Sequence, residues 1–392
     1  MNRRNFIRLS GGGIVVASTA GLTTGCSLGT DYPPATLEAW QGPGAETDMR
    51  KRALAYAITA PNPHNRQAWL VDLREEGAIT LYCDRERLLP ETDPFGRQVL
   101  IGYGAFLELL VMGLAEQGVK AEVALWPQGE LPTQLKDWDQ RPVAHLRLMP
   151  GGVADPLFAQ VLKRHTPKVD FDTARPVAPA TLQALLASVR TPGIQAGGTV
   201  DANRLGDLRK LCWESANVET LTPRTVMESV RLIRVGPAEI LKHRDGISIN
   251  TAVPRIADAL GMFDREAPPK EGSTAYKQMM SRFEGHSRTA MGFVWLASAG
   301  SGRSRQVEAG CAYVRLQLKA TELGVGVHPM SQALQEFAEM ASHYEQAHRL
   351  LIGKAAPATP ADDAVQMFCR IGYAPSDVSA TPRRPMSDLL VV

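Results

Sequence analysis

Apolar and polar positions along this 392-residue chain switch between two periods, and each switch marks an element. Met49 to Thr59 carries a helical pattern. Two strand-like runs follow, Trp69 to Leu73 and Ala78 to Cys83, with a turn at Glu75-Glu76-Gly77 between them. Asp93-Pro94-Phe95-Gly96-Arg97 reads as a turn that starts a long helix from about Gln98 to Gln117, ended by Gly118. That helix is apolar almost all round (Leu107, Leu109, Leu110, Val111, Met112, Leu114), so it is expected to be central and buried. Val119 to Leu125 and His145 to Leu148 read as strands, and Pro150-Gly151-Gly152 as a boundary.

The second part opens with an amphipathic helix, Asp155 to Lys163, and a polar loop, Arg164 to Phe171. A helix is expected from about Ala180 to Arg190, and mostly helical chain with polar turns from Thr199 to about Leu260. After a loop at Pro268 to Ser273 come a buried strand, Ala290 to Ala299, and a second long helix, Gln306 to Glu322, ended by Gly324. Met367 to Tyr373 is a late strand, and Thr381-Pro382-Arg383-Arg384-Pro385 closes the chain as a basic turn. A weak internal repeat joins the two parts. Gly104 to Gly118 and Gly310 to Gly324 share one spacing, Leu110 matches Leu316, Glu116 matches Glu322, and Arg97 matches Arg305 with a two-residue shift. The expected fold is α+β, two copies of one unit fused head to tail over residues 49–150 and 153–392.

Composition narrows the class. Hydrophobic content of 44% and charged content of 21% suit a globular protein, and a formal net charge of +2 argues against a nucleic-acid binder. The five cysteines are scattered without metal-site spacing, so no metal site is expected. At the N-terminus, Asn2-Arg3-Arg4-Asn5-Phe6-Ile7-Arg8 matches a twin-arginine export pattern, and Gly11 to Leu22 is apolar but too short to span a bilayer. Processing is expected either near Ala20 or at Cys26, where Thr23-Thr24-Gly25-Cys26 resembles a lipoprotein site. Residues 1–26 are thus read as a signal and 27–48 as a linker. The expected location is periplasmic, with the twin-arginine machinery as a partner and the membrane reached only through the signal or a lipid on Cys26.

Candidate chemistry centres on Ala60-Pro61-Asn62-Pro63-His64-Asn65-Arg66-Gln67-Ala68-Trp69. Two prolines set the local backbone, and Asn62, His64, Asn65 and Gln67 offer a density of amide and imidazole groups suited to reading a flat polar ring. A plain polar turn anchored by Trp69 accounts for the same residues. His64 suits either substrate contact or loop packing. No Gly-x-Gly-x-x-Gly opens a strand–helix unit and no Gly-x-Ser-x-Gly elbow occurs.

This loop is similar to the Pro-Ser-Ser-x-Asn-Ser-Gln-Pro-Trp segment of the nitroreductase superfamily of flavin enzymes. Lys163-Arg164-His165-Thr166-Pro167-Lys168-Val169-Asp170-Phe171 resembles that family's Arg-(Arg/His)-Ser-x-(Arg/Lys) phosphate motif. Asp93-Pro94-x-Gly96-Arg97, the helix around Gly104, and the stretch from Arg370-Ile371-Gly372-Tyr373 to Arg383-Arg384-Pro385 resemble the Acg-like branch, in which one chain contains both halves of the dimer. The chain departs from the pattern at Asn62 and Pro63, where the family has serines, and at Ala68, where it has proline.

The resemblance implies one FMN per chain and a monomer with an internal pseudo-dimer. Arg164, His165, Thr166 and Lys168 would hold the phosphate together with Arg383 and Arg384. Pro329 and Met330 would lie against the isoalloxazine, and Pro61, Asn62, Asn65 and Gln67 would line its other face or edge. It also implies an oxidoreductase that passes hydride or electrons from a small-molecule donor, through the flavin, to a nitro, quinone or similar electron-poor acceptor, without a side-chain nucleophile. A protein that holds FMN without turnover, or a cofactor-free binder of another aromatic ligand, are the alternatives.

Overall fold

A computed structural model describes residues 31–261, 264–376 and 378–391. The twin-arginine pattern, the Ala20 region and Cys26 lie outside the described residues. In the first half, helix α1 (Met49–Ala57) leads to strands β1 (Trp69–Asp72) and β2 (Ala78–Cys83), helix α2 (Arg97–Ala115), and strands β3 (Val119–Leu125) and β4 (Ala144–Pro150). The four strands form an antiparallel sheet in the order β1-β2-β4-β3. Asp48 caps α1 by accepting from the backbone N–H groups of Arg50 and Lys51.

The second half contains helix α3 (Pro179–Leu186), strand β5 (Ile194–Thr199), and helices α4 (Ala202–Leu221) and α5 (Pro223–Arg231). Strand β6 (Ile233–Val235), helix α6 (Gly236–His243), strand β7 (Ile247–Ile249) and helices α7 (Ala252–Ala259) and α8 (Thr274–Arg288) follow. Strand β8 (Gly292–Ser298), helix α9 (Arg303–Glu322), strand β9 (Gly326–Pro329), helix α10 (Ala341–Ile352) and strand β10 (Ala364–Gly372) complete it. Strands β5, β8, β10 and β9 form a second antiparallel four-stranded sheet in that order.

The halves meet where α2 crosses α9. A Cβ added to Gly104 would lie 1.8 Å from the Val307 carbonyl oxygen, and one added to Gly310 would lie 2.0 Å from that of Ile101. The contact is reciprocal, each glycine meeting the backbone one turn ahead of the other, as at a twofold interface between subunits. The same reciprocity holds two turns earlier. Buried Arg97 donates to the carbonyls of Gln366 (2.6 Å) and Leu334 (2.5 Å) in the second half. Buried Arg303 donates to those of Phe95 (2.6 Å), Pro132 (2.5 Å) and Thr133 (2.9 Å) in the first. Arg303, not the expected Arg305, is therefore the counterpart of Arg97. Arg305 pairs instead with Glu308, 2.5 Å away and nearer the surface.

Three further readings need correction. Residues 31–47 are not a bare linker: 3-10 turns at Pro34–Thr36 and Glu38–Gln41 pack on the fold, and Thr36 accepts from the Arg383 backbone N–H at 2.9 Å. Residues 156–163 wind as a 3-10 helix capped by Asp155. The expected helical stretch to Leu260 is interrupted by the parallel pair β6–β7, whose alternating Ile233, Val235, Ile247 and Ile249 favour strand pairing. Beyond these, the C-terminal tail leaves the second half and pairs with β1 of the first, the Val71 N–H bonding Leu389 O and the Val391 N–H bonding Val71 O, both at 2.8 Å.

Candidate functional site

The loop after α1 turns on left-handed backbone at His64 (φ 46°), Asn65 (φ 52°) and Gln67 (φ 51°). Such conformations are costly for residues other than glycine and persist where surrounding bonds impose them. Here the loop's own amides do so. Asn62 Oδ1 accepts from the Gln67 backbone N–H (2.8 Å), and Asn62 Nδ2 donates to Ala60 O (3.1 Å). Asn65 Nδ2 donates to Pro382 O (2.9 Å), while Gln67 Nε2 donates to Asn65 O (3.1 Å) and Arg244 O (2.9 Å). Gln67 Oε1 accepts from the Arg384 backbone N–H (2.8 Å), so loop and tail are stitched together. The loop rests on α2, where a Cβ on Gly102 would come within 3.1 Å of Asn62 Cβ.

Beneath the loop, guanidinium groups from distant parts of the chain converge. Arg164 is 2% exposed and donates from Nη2 to Thr59 O (2.9 Å) and from Nη1 to Thr166 Oγ1 (3.3 Å). Arg383 is 4% exposed and donates from Nη2 to the same Thr59 O (3.0 Å) and from Nη1 to Thr381 Oγ1 (2.7 Å) and Asn65 Oδ1. Thr59 lies just past the end of α1, so its carbonyl belongs to the negative end of a helix dipole. The Nε of each guanidinium is buried without a hydrogen-bond partner. Trp40 roofs the pair, its ring centroid 5.7 Å from the Arg164 guanidinium and 5.1 Å from that of Arg383, and its indole N–H bonds Thr381 O at 2.8 Å.

Burial draws Arg164 down to about 10, and burial together with Arg164 holds Arg383 well below its ordinary value. Lys168, open to the cleft, is lowered to about 8 by loss of bulk water around it and by Arg282 and Arg383. Among the described residues no carboxylate contributes to holding the charge of Arg164, Lys168 or Arg383. Cations gathered without counter-charge, beside a threonine hydroxyl, make a receptor for an anion.

This cationic end belongs to a cleft of about 220 Å³ between the halves. Pro61, Asn62, Asn65, Arg164, His165, Thr166, Lys168, Pro329 and Arg383 all line it. Gln67, Met330 and Arg384 do not. Gln67 is fully buried in the loop's bonding. Met330 bonds Phe368 O through its N–H (2.8 Å) and packs in the core with Phe293 and Phe368. Arg384 is turned away from the cleft, onto Gln67 O (3.2 Å) and Asp388 O (2.8 Å).

The facing wall comes from Gln98 and Ile101 on α2, Tyr313 on α9, His328 on β9, and Gln332 and Gln335 just beyond. The Oε1 atoms of Gln332 and Gln335, and Nδ1 of His64, are buried without hydrogen-bond partners. Behind the two glutamines lies Glu219, raised to about 7 by burial. Sequence reading did not single out Trp40, Gln98, Tyr313 or Gln335. Gln98 and Tyr313 sit inside long helical runs, Gln335 on no periodic run, and Trp40 in a Pro- and Gly-rich stretch without periodicity.

No protein-family model matches the chain. It is 35% identical to the protein named NAD(P)H nitroreductase Acg of Mycobacterium tuberculosis over 96 residues, 24% of this chain and 29% of that relative. It is 22% identical to a second M. tuberculosis protein named as an NAD(P)H nitroreductase, over 359 residues, 89% of this chain and 92% of the relative. Among solved structures, an FMN-dependent nitroreductase of Mycobacterium smegmatis in complex with NADPH shares 19% identity over 58% of this chain and 94% of its own, with a TM-score of 0.34. A Bacteroides fragilis nitroreductase with bound FMN shares 12% identity over 61% of this chain and 100% of its own, also with a TM-score of 0.34. The chain is thus similar in sequence to proteins named as NAD(P)H nitroreductases, strongly over a short stretch that spans 29% of the first relative's length and more distantly over 89% of its own.

Proposed function

We propose that this protein is an exported, FMN-dependent oxidoreductase of nitroreductase type, with one flavin site in the cleft between its halves. The observation that carries the reading is the paired, uncompensated guanidinium groups of Arg164 and Arg383, each with a buried, unbonded Nε, at one end of a cleft otherwise walled by proline, amide and aromatic side chains. That donor set suits a phosphate monoester attached to a flat heterocycle. Arg164, Thr166, Lys168 and Arg383 would hold the phosphate, with His165 beside them. Pro61, Asn62, Pro329 and the orphaned amide oxygens of Gln332 and Gln335 would border the ring. The bound flavin supplies hydride and electron transfer to an electron-poor acceptor such as a nitro group or quinone. The protein supplies orientation, positive charge toward the anionic end, and a left-handed loop held rigid by its amides.

The reading includes export: Arg3 and Arg4 would address the chain to the twin-arginine machinery, with Cys26 or a site near Ala20 as the processing point. Arg3→Lys with Arg4→Lys should retain the protein in the cytoplasm, as cell fractionation would report. The flavin reading is tested by colour and reconstitution. Purified protein should be yellow, or take up FMN at near one per chain, and anaerobic reduction by a nicotinamide donor followed by reoxidation with a nitroaromatic or quinone should turn it over. Binding without turnover would make it an FMN-holding protein. Colourless protein after reconstitution with FMN would overturn both and leave a binder of another aromatic ligand.

A further inference from the structure

His328 lies on β9 with its ring lining the cleft, and its Nδ1 accepts a hydrogen bond from Arg370 Nε at 2.9 Å. A guanidinium can only donate, so the Nδ1 lone pair is occupied as an acceptor. The neutral ring must then carry its proton on Nε2. Among the described residues nothing bonds Nε2, and this nitrogen is absent from the buried polar atoms without partners. It is a donor left open to the cleft.

Arg370 is itself fixed. Fully buried, it donates from Nη1 to His286 O (3.1 Å) and from Nη2 to Val169 O (2.6 Å), and it stacks over Phe171 with 4.1 Å to the ring centroid. His286 meets His328 edge to face, with ring centroids 4.9 Å apart. The other charges bearing on His328 are Lys168, on the loop after Arg164, and Arg282 on α8. All of them oppose a second proton on the ring. None of these contacts requires a ligand, so the arrangement exists before one binds.

We infer that Arg370 is a positioning residue that locks His328 as the neutral Nε2–H tautomer, a preset hydrogen-bond donor to an electron-rich atom of the ligand in the cleft. Donation from a permanent cation into Nδ1 polarises the ring and strengthens the opposite N–H as a donor. His328 therefore favours a ligand state in which negative charge has accumulated. On the flavin reading proposed above, that state is reduced FMN.

Two measurements test this separately. In the full-length protein labelled with 15N-histidine, two-bond 1H–15N correlation should show His328, identified by loss of its signal in His328→Gln, as Nε2–H throughout about pH 5.5 to 8.5. An Nδ1–H signal, or protonation with a midpoint inside that window, would overturn the lock whether or not any flavin binds. Affinities for oxidised FMN and for FMN reduced with dithionite should differ in favour of the reduced form by about tenfold. His328→Phe should erase that preference, and His328→Gln, which keeps an N–H donor, should retain most of it. An unchanged preference in His328→Phe overturns the donor role. Failure to bind either form of FMN overturns the flavin reading and the ligand half of this inference, while the tautomer result stands on its own.

Discussion

Arg164 and Arg383 donate to one acceptor, the carbonyl of Thr59, from 2.9 and 3.0 Å, although they come from opposite ends of the second half. Two buried guanidinium groups side by side repel each other, and a single carbonyl satisfies them only in part. An anion bound between them would relieve both. Arg164→Ala should therefore weaken FMN retention by about 10- to 100-fold, the range for losing a charge-assisted hydrogen bond at a buried site. Arg141→Ala should leave it unchanged, since Arg141 pairs with Asp139 at the surface, 2.7 Å away. Fluorescence titration with FMN compares the two, and equal losses would remove the anion assignment.

Lys168 gives that end of the cleft a pH dependence. Its folded pKa, about 8, lies below its ordinary value. Folding therefore releases its proton between those two values, and this contribution makes the protein more stable as pH rises through about 8. Anion affinity should run the other way, strong while Lys168 is charged and falling as pH rises through about 8. Isothermal titration with FMN from about pH 7 to 9.5 should show that decline in the parent protein, and Lys168→Gln should flatten it.

Elements with a strong local signal were legible from sequence: α1, α2, α9 and strands β1 to β4, β8 and β10 stand within a few residues of their expected places. The repeat glycines proved to be the crossing point of the two long helices. What was not legible depends on contacts far apart in the chain. The amides of Asn62, Asn65 and Gln67 suggested a ring-reading surface, whereas most of their bonds hold the loop to itself and to the tail. Trp40 gains its place because Thr381, His165 and two arginines meet it. Of the adjacent basic residues Arg383 and Arg384, the first lines the cleft and the second bonds Gln67 O and Asp388 O away from it. Helices α8 and α10 were not singled out, although their apolar stripes are no weaker than those of α1 and α9.

The helix crossing makes a sharp stability prediction. A methyl group at Gly104 would sit 1.8 Å from Val307 O, so Gly104→Ala must drive α2 and α9 apart along the whole interface. A loss of about 3 kcal/mol or more is expected from overpacking against rigid backbone. Gly206→Ala is the matched comparison, because a Cβ there meets nothing within 4 Å on the exposed face of α4. It should stabilise by about 0.5 to 1 kcal/mol through helix propensity. Urea denaturation of both variants measures the contrast.

Asp245 ties the β6–β7 segment to the cleft loop. Its carboxylate receives Arg66 (2.6 Å), Arg87 (2.9 Å) and Arg234 (3.0 Å), and its side chain is only 4% exposed. Asp245→Ala would leave three guanidinium groups crowded without their shared anion, a change worth about 3 to 5 kcal/mol for a broken buried pair. Arg66 sits in the strained loop, so the damage should begin there. Hydrogen exchange should show residues 61–68 losing protection first, and weaker FMN binding should accompany it.

Glu219 provides the last test, because its burial behind Gln332 and Gln335 makes it an acid whose folded pKa, about 7, exceeds its ordinary value. Its Oε2 is buried without a hydrogen-bond partner, and Ser229 reaches Oε1 at 3.3 Å. The folded protein therefore holds a proton that the unfolded chain releases at lower pH. Between the ordinary glutamate pKa and about 7 the native state binds more protons, so this group makes stability fall as pH rises and level off above about 7. Converting the shift at 1.36 kcal/mol per unit sets the cost near neutrality at about 3 kcal/mol. Glu219→Gln keeps the shape and removes the ionisation. It should raise the urea midpoint at pH 7.5, change it little at pH 4.5, and flatten the slope between; an unaltered pH profile would show that Glu219 ionises freely in the native state.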